Sequence, residues 1–221
     1  DMNRSIYSLL LMDDIIRAVD QLAYAQNTSR SNMVNQILAE HLSVKTPEQR
    51  MHDIFEQIEA LMVQQNAFQI QFQPSDAILS VRTALAYKYK PTVRYSVELF
   101  RNDPKILGEL RVSARTQNAG LLRMLDHFFR LWEKLENRYL SAVYPAGVSC
   151  RIENGRYCRT FFWPEESCTN AQLGESISSY IQNFDCALKA FFELDEQNWK
   201  VGIDQISLRY QKALQKEKIL L

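Results

Sequence analysis

The chain has 221 residues, 46% of them hydrophobic and 24% charged, which is apolar content for one large core or two small ones. Lysine plus arginine and aspartate plus glutamate number 26 each, so no overall field announces nucleic acid or a membrane surface. No apolar run approaches the ~20 residues that span a bilayer. Asp1-Met2 reads as a remnant ahead of the natural start, with no signal peptide. Cys150, Cys158, Cys168 and Cys186 form no Cys-x-x-Cys pair and lie far from His41, His52 and His127. Free thiols in a cytoplasmic protein, without metal or cofactor, are therefore expected.

In chain order, residues 3–11 (NRSIYSLLL) read as a short strand with apolar residues on both faces: Tyr7, Leu9 and Leu11 on one, Ile6 and Leu10 beside Arg4 and Ser8 on the other. Residues 13–27 follow as a helix with Ile16, Val19 and Ala23 at helical spacing, Asp13 and Asp14 suited to its start by capping and by the helix dipole, and Asn27 as a left-handed stop. A second helix covers 28–42, capped by Ser29, with Met33, Val34, Ile37, Leu38 and Leu42 as its apolar face. Thr46-Pro47-Glu48-Gln49 starts a third helix, whose stripe is Met51, Phe55, Ile58 and Met62. This 46–65 helix is expected to link two domains or to extend a dimer as a short coiled coil.

From Asp76 to Thr116 the period becomes two. Leu79, Val81, Thr83, Leu85 and Tyr87 share a parity, as do Val93, Tyr95, Val97 and Leu99, and then Leu110, Val112 and Ala114, with a turn at Asn102-Asp103-Pro104. The pattern predicts an antiparallel meander whose other face carries Arg82, Lys88, Arg94, Glu98, Glu109, Arg111 and Arg115. That basic face, with Tyr87, Tyr89 and Tyr95 nearby, is a secondary candidate for nucleic-acid contact; a merely solvated strand face is the plainer expectation. Residues 119–140 read as an amphipathic helix covering the meander through Leu121, Leu125, Phe128, Phe129 and Trp132. A hairpin from Val148 to Phe162 turns at Asn154-Gly155. Helices over 170–193 and 196–219 complete an α+β chain: a module over 1–45, a linking helix over 46–65, and a mixed domain over 66–221.

A β-α-α unit of this size cannot bury its own apolar faces, and its strand has no partner within the unit. Two copies solve both problems when the strands pair across a twofold axis, so an obligate homodimer is expected. Residues 3–43, IYSLLLMDDIIRAVDQLAYAQNTSRSNMVNQILAEHL with its preceding polar residues, resemble the ribbon-helix-helix DNA-binding family of the Arc and methionine repressors. The strand running into an acidic helix start, and the opening Asn27-Thr28-Ser29-Arg30-Ser31 of the second helix, carry the resemblance. It implies a two-stranded ribbon in the major groove of double-stranded DNA, with Tyr7, Leu9 and Leu11 inward and Arg4, Ile6, Ser8 and Leu10 toward the bases. It also implies that Ser29, Arg30 and Ser31 hold a phosphate at a helix N-terminus. Family members usually present polar or basic residues outward, whereas here only Arg4 and Ser8 can hydrogen-bond a base.

The sequence thus predicts a bacterial-type, dimeric transcription regulator with a C-terminal regulatory, oligomerising or partner-binding domain. The competing expectation is a module used for dimerisation and protein docking, because its outward face is partly apolar and it is not basic. No phosphate-binding glycine loop, nucleophile elbow or zinc-protease helix is present in the sequence, so an enzyme is not expected.

Overall fold

The computed structural model describes residues 6–42, 45–65, 67–71, 75–88, 90–101, 103–195, 197–217, 219 and 221. The sequence expectations at Arg4, Tyr89 and Asn102 lie outside these residues. The chain divides into two compact units, Asp1–Arg50 and Met51–Leu221.

The first unit contains α1 (Asp13–Ala25) and α2 (Arg30–His41). Met12, extended at φ −67° and ψ 143°, occupies the cap position of α1 and supplies no side-chain cap bond. Asp13 and Asp14 instead lie in the first turn, where negative charge suits the partial positive end of the helix. The helix ends as Asn27 was expected to end it, at φ +50°. There the Thr28 N–H donates to the Ala23 carbonyl at 2.9 Å and the Asn27 N–H to Tyr24 at 3.2 Å, which closes a Schellman turn. Among the described residues, Val19, Ala23 and Met33, with Val34 against them, form the core between the helices. Residues 6–12 carry no strand pairing. A strand exists only through hydrogen bonds to a neighbour, and the described residues of one unit offer none.

The second unit is built on a six-stranded antiparallel sheet in the order β1-β2-β3-β4-β6-β5. Its strands are β1 (Gln69–Gln71), β2 (Ile78–Ala84), β3 (Thr92–Leu99), β4 (Ile106–Ala114), β5 (Cys150–Glu153) and β6 (Arg156–Phe162). The expected alternation holds: Val93, Tyr95, Val97, Leu110 and Val112 are all buried on one face. The hairpin turn is also as expected, with Asn154 at φ +49° and Gly155 at φ +71°. At Gly108 a Cβ would sit 2.2 Å from the Glu98 carbonyl oxygen, and the β4–β6 register shifts there, so glycine permits an irregularity that a larger residue would not.

Helices α3 (Pro47–Val63), α4 (Ala119–Tyr139), α5 (Asn170–Phe192) and α6 (Trp199–Leu214) supply the rest of the core. The Gln49 N–H donates to Thr46 Oγ1 at 3.1 Å, so α3 starts as its sequence requires. From Met51 onward it is not a bare linker: Met51, Ile54, Phe55, Ile58 and Met62 are buried with the strands of the second unit. On α4, Phe128, Phe129 and Trp132 are at most 1% exposed. Burying each such ring contributes about 1.5–3 kcal/mol. A capping box at Thr169 and Gln172 starts α5.

Two buried polar clusters tie helices to sheet. On α5, Asp185 accepts from Thr83 at 2.8 Å, Tyr95 at 2.9 Å and Lys189 at 2.6 Å. On α4, Glu136 accepts from Tyr157 at 2.6 Å and from Arg159 Nε at 3.2 Å, and both Glu136 and Arg159 have fully buried side chains. Arg159 also donates to the main-chain oxygens of Thr160 and Leu221. Among the described residues, no helix is long and apolar enough to cross a membrane.

Candidate nucleic-acid interface

The loop between α1 and α2 sets the chemistry at the start of α2. Ser29 Oγ accepts the Asn32 N–H at 3.2 Å, and Asn32 Nδ2 donates to Thr28 Oγ1 at 3.1 Å. Ser29 therefore fills the cap role, and Ser31 is exposed beside it. Arg30 is not a bare cation at this helix end. Its Nε and Nη2 each donate to one oxygen of Asp20 at 2.5 Å, a fork that returns α2 to α1. The hydrogen bond with Arg30 holds the Asp20 carboxyl below its ordinary range against the opposing cost of desolvation, and the Arg30 charge adds a lesser pull in the same direction. The pair is exposed, 57% and 43%, and so remains open to competition from another anion. What the turn presents outward is a set of helix amides, two hydroxyls and a guanidinium already shared with a carboxylate.

The segment that leads into α1 is unusual for its apolar exposure. Ile6 and Leu10 are fully exposed, Tyr7 and Leu9 are 82% and 64% exposed, and Ser8 is exposed between them. Leu22, Leu38 and Leu42 on the helices are also exposed. Within a single chain, neither parity of the expected strand is buried.

The second candidate surface is the sheet face turned away from the helices. Cross-strand register aligns Arg82 with Arg94, Arg94 with Ser113, and Ser113 with Arg156. In the next row Ser96 faces Arg111, which faces Cys158, which faces Arg151. The sheet thus brings Arg82, Arg94 and Arg111 onto one face, whereas Lys88 and Arg115 lie beyond the ends of β2 and β4. Tyr95 is buried on the helix side and Tyr87 packs edge-on against Phe192, so neither offers a ring to a base on this face. Arg151 and Arg156 share the face but were not singled out from the sequence, although the parity of the Asn154-Gly155 hairpin places them there.

Part of this basic face is already neutralised. Arg111 pairs with Glu98 at 2.8 Å and Glu109 at 2.7 Å, and Arg151 reaches the other Glu109 oxygen at 3.0 Å. Burial raises the Glu109 carboxyl, yet hydrogen bonds from Cys158 and Arg111 and the charges of Arg111 and Arg151 outweigh it and leave the group below its ordinary range. Arg82 donates to Gln69 at 3.1 Å and Arg94 to Ser80 at 3.1 Å, both neutral partners. A shallow groove of about 610 Å3 runs over Arg94, Ser96, Arg111, Ser113, Arg151 and Arg156.

Among the described residues, no group of three or more His, Cys, Asp or Glu side chains is placed to hold a metal ion. The cysteines are free thiols. Burial, followed by the Glu133 carboxylate that its thiol touches, pushes Cys150 up to about 12, which suits packing rather than nucleophilic chemistry. Comparison with protein-family models, curated proteins and solved structures finds no match for the chain.

Proposed function

We propose that the protein is a homodimeric, DNA-binding transcription regulator whose first unit pairs with a second copy to form a two-stranded ribbon and whose second unit is a regulatory or partner-binding domain. The observation that carries the dimer is the imbalance between the three-residue core of the first unit, Val19, Ala23 and Met33, and the apolar residues left exposed around it, Ile6, Leu9, Leu10, Leu22, Leu38 and Leu42. Water contact with so much apolar surface is unfavourable, and a symmetric copy would remove it while giving residues 6–11 a strand partner. In that arrangement Ser8 and the neighbouring Arg4 read bases, Ile6 and Leu10 meet thymine methyl groups, and the Ser29-Arg30-Ser31 turn holds a phosphate. The capped, amide-bearing start of α2 supports the last role. The protein is assigned to the cytoplasm on the same reading.

A protein-docking role for the ribbon is the second reading, favoured by the complete exposure of Ile6 and Leu10 and by the engagement of Arg30 with Asp20. Titration onto random-sequence and AT-rich duplexes at several salt concentrations separates the two. The regulator reading expects micromolar or tighter binding that weakens steeply with salt. Arg30→Ala should then weaken binding to every sequence alike, while Ser8→Ala should alter sequence preference. A confirmed dimer that binds no duplex even at low salt would refute DNA binding and leave docking.

A further inference from the structure

On the sheet face turned away from the helices, Arg82 on β2 stands directly opposite Arg94 on β3. Like charges in that position destabilise an antiparallel pair. Both side chains are exposed, and neither forms an ion pair among the described residues. Their hydrogen-bond partners are neutral, Gln69 for Arg82 and Ser80 for Arg94. The carboxylates of the face are engaged elsewhere: Glu98 and Glu109 with Arg111, and Glu109 also with Arg151. Glu153, on β5, stands opposite Arg156 and is three strands from Arg94, roughly 14 Å at the usual strand spacing.

The hydroxyl groups beside this pair add an independent demand. Ser80 is fully buried, and its oxygen accepts from Arg94 Nη2 at 3.1 Å. Its own proton therefore needs an acceptor, which Ser96 Oγ provides at 2.6 Å. The Ser96 proton is then left without an acceptor among the described residues. Beyond these internal bonds the patch offers donors alone, two guanidiniums and a hydroxyl, and so matches a ligand that only accepts. Charge narrows the choice. A carboxylate, or the phosphate diester of a nucleic-acid backbone, brings one negative charge to two unpaired cations. A phosphate monoester brings about −1.5 to −2 at pH 7 with three acceptor oxygens, which arginine forks engage well. Arg94 and Ser96 also line the groove of about 610 Å3, which leaves room beside them for an organic remainder.

We propose that Arg82, Arg94 and Ser96 bind a dianionic phosphate, either the free ion or a small phosphate monoester. The anion lies over the β2–β3 pair, where it balances both guanidiniums and accepts a hydrogen bond from the Ser96 hydroxyl. Binding offsets the repulsion that the cross-strand pair otherwise carries. The site belongs to the second unit and stands independently of DNA recognition by the first.

Calorimetric titration of the full chain tests this with inorganic phosphate, methyl phosphate and dimethyl phosphate, in a buffer free of other multivalent anions. Inorganic or methyl phosphate is expected to bind with a Kd of about 1 mM or below. Tighter binding of the first assigns the site to the free ion, and tighter binding of the second assigns it to an ester. Dimethyl phosphate, with one charge, should bind at least tenfold more weakly than either. Arg82→Gln and Arg94→Gln should each weaken the dianion at least tenfold. Neither should lower the melting temperature, since each removes a like-charge opposition at an exposed position. Arg151→Gln makes the same change in net charge on the same face, but next to Glu109, and should leave the affinity close to that of the parent. No binding of either dianion, equal affinity for dimethyl phosphate, or an equal loss in Arg151→Gln overturns the proposal. Because no duplex is present in the titration, none of these results touches the DNA-binding reading.

Discussion

Replacing Glu136 with glutamine should strongly destabilise the second unit. The carboxylate is fully buried on α4 and faces a fully buried guanidinium, Arg159 on β6, while also accepting from the Tyr157 hydroxyl. Burial alone disfavours the Arg159 charge, but Glu136 and then the surrounding phenol groups hold it firmly protonated. Glutamine keeps the shape and one acceptor, and leaves that cation without its counter-charge. Breaking a buried pair in this way costs about 3–5 kcal/mol. For a domain of 150–250 residues each kcal/mol lowers Tm by roughly 2–4 °C, so a fall of roughly 6–20 °C is expected. Urea unfolding followed by circular dichroism, with thermal melts alongside, reads it: the midpoint should drop with little change in slope. The double variant Glu136→Leu with Arg159→Met removes both charges and should recover most of the loss, since a packed apolar pair can replace a buried ion pair at little cost. If Glu136→Gln lowers stability by under ~1 kcal/mol, or the double variant is no better than the single one, the unpaired charge is not the cause of the loss.

Two shorter expectations follow from the ion-pair networks. Asp20→Ala should release Arg30, tighten non-specific binding to duplex DNA and steepen its salt dependence by about one unit of log–log slope, the contribution of one further phosphate contact; an unchanged slope would mean that Arg30 does not reach the backbone. Glu109→Gln should lower stability at pH 7 by about 1 kcal/mol: the carboxylate is largely buried, but its partners Arg111 and Arg151 are exposed, which limits what each pair contributes. Because the folded-state carboxyl lies below its ordinary value of 4.5, the parent's advantage should be complete above that pH and vanish as pH falls through the lowered value. An advantage that persists to strongly acid pH would show that shape, rather than charge, is responsible.

Much of the second unit was legible because its signals are local. Alternation placed Val93, Tyr95, Val97, Leu110 and Val112 inward, and Asn154-Gly155 fixed a turn that needs two residues at positive φ. Strand β1 was not legible: Gln69-Ile-Gln71 is three residues long and polar, and it forms only because β2 offers an edge. The core role of α3 was missed for a related reason, since an apolar stripe records that a helix face is buried but not against what. Glu136, Arg159 and Asp185 went unremarked because a charge among apolar residues has meaning only once its partner, distant in sequence, is beside it. In the first unit the Ser29 cap and the Asn27 stop were legible, whereas the start of α1 was not, since Met12 rather than an aspartate holds its cap position. The fork from Arg30 to Asp20 was not, because it depends on how two helices meet.

The strand order has a consequence for how the second unit reaches its fold. Val81 pairs with Tyr95 and Tyr95 with Val112, contacts closed by short turns, whereas Leu110 must find Arg159 across the whole of α4. Closing a longer loop costs more chain entropy before any contact repays it. The β2–β3–β4 meander is therefore expected to organise first and the β5–β6 hairpin to dock late. Stopped-flow kinetics should show Val97→Ala slowing folding and Phe161→Leu chiefly speeding unfolding. The reverse pattern would place the nucleus at the hairpin. With a late hairpin, the lifetime of the folded unit is governed by how firmly β6 holds to β4.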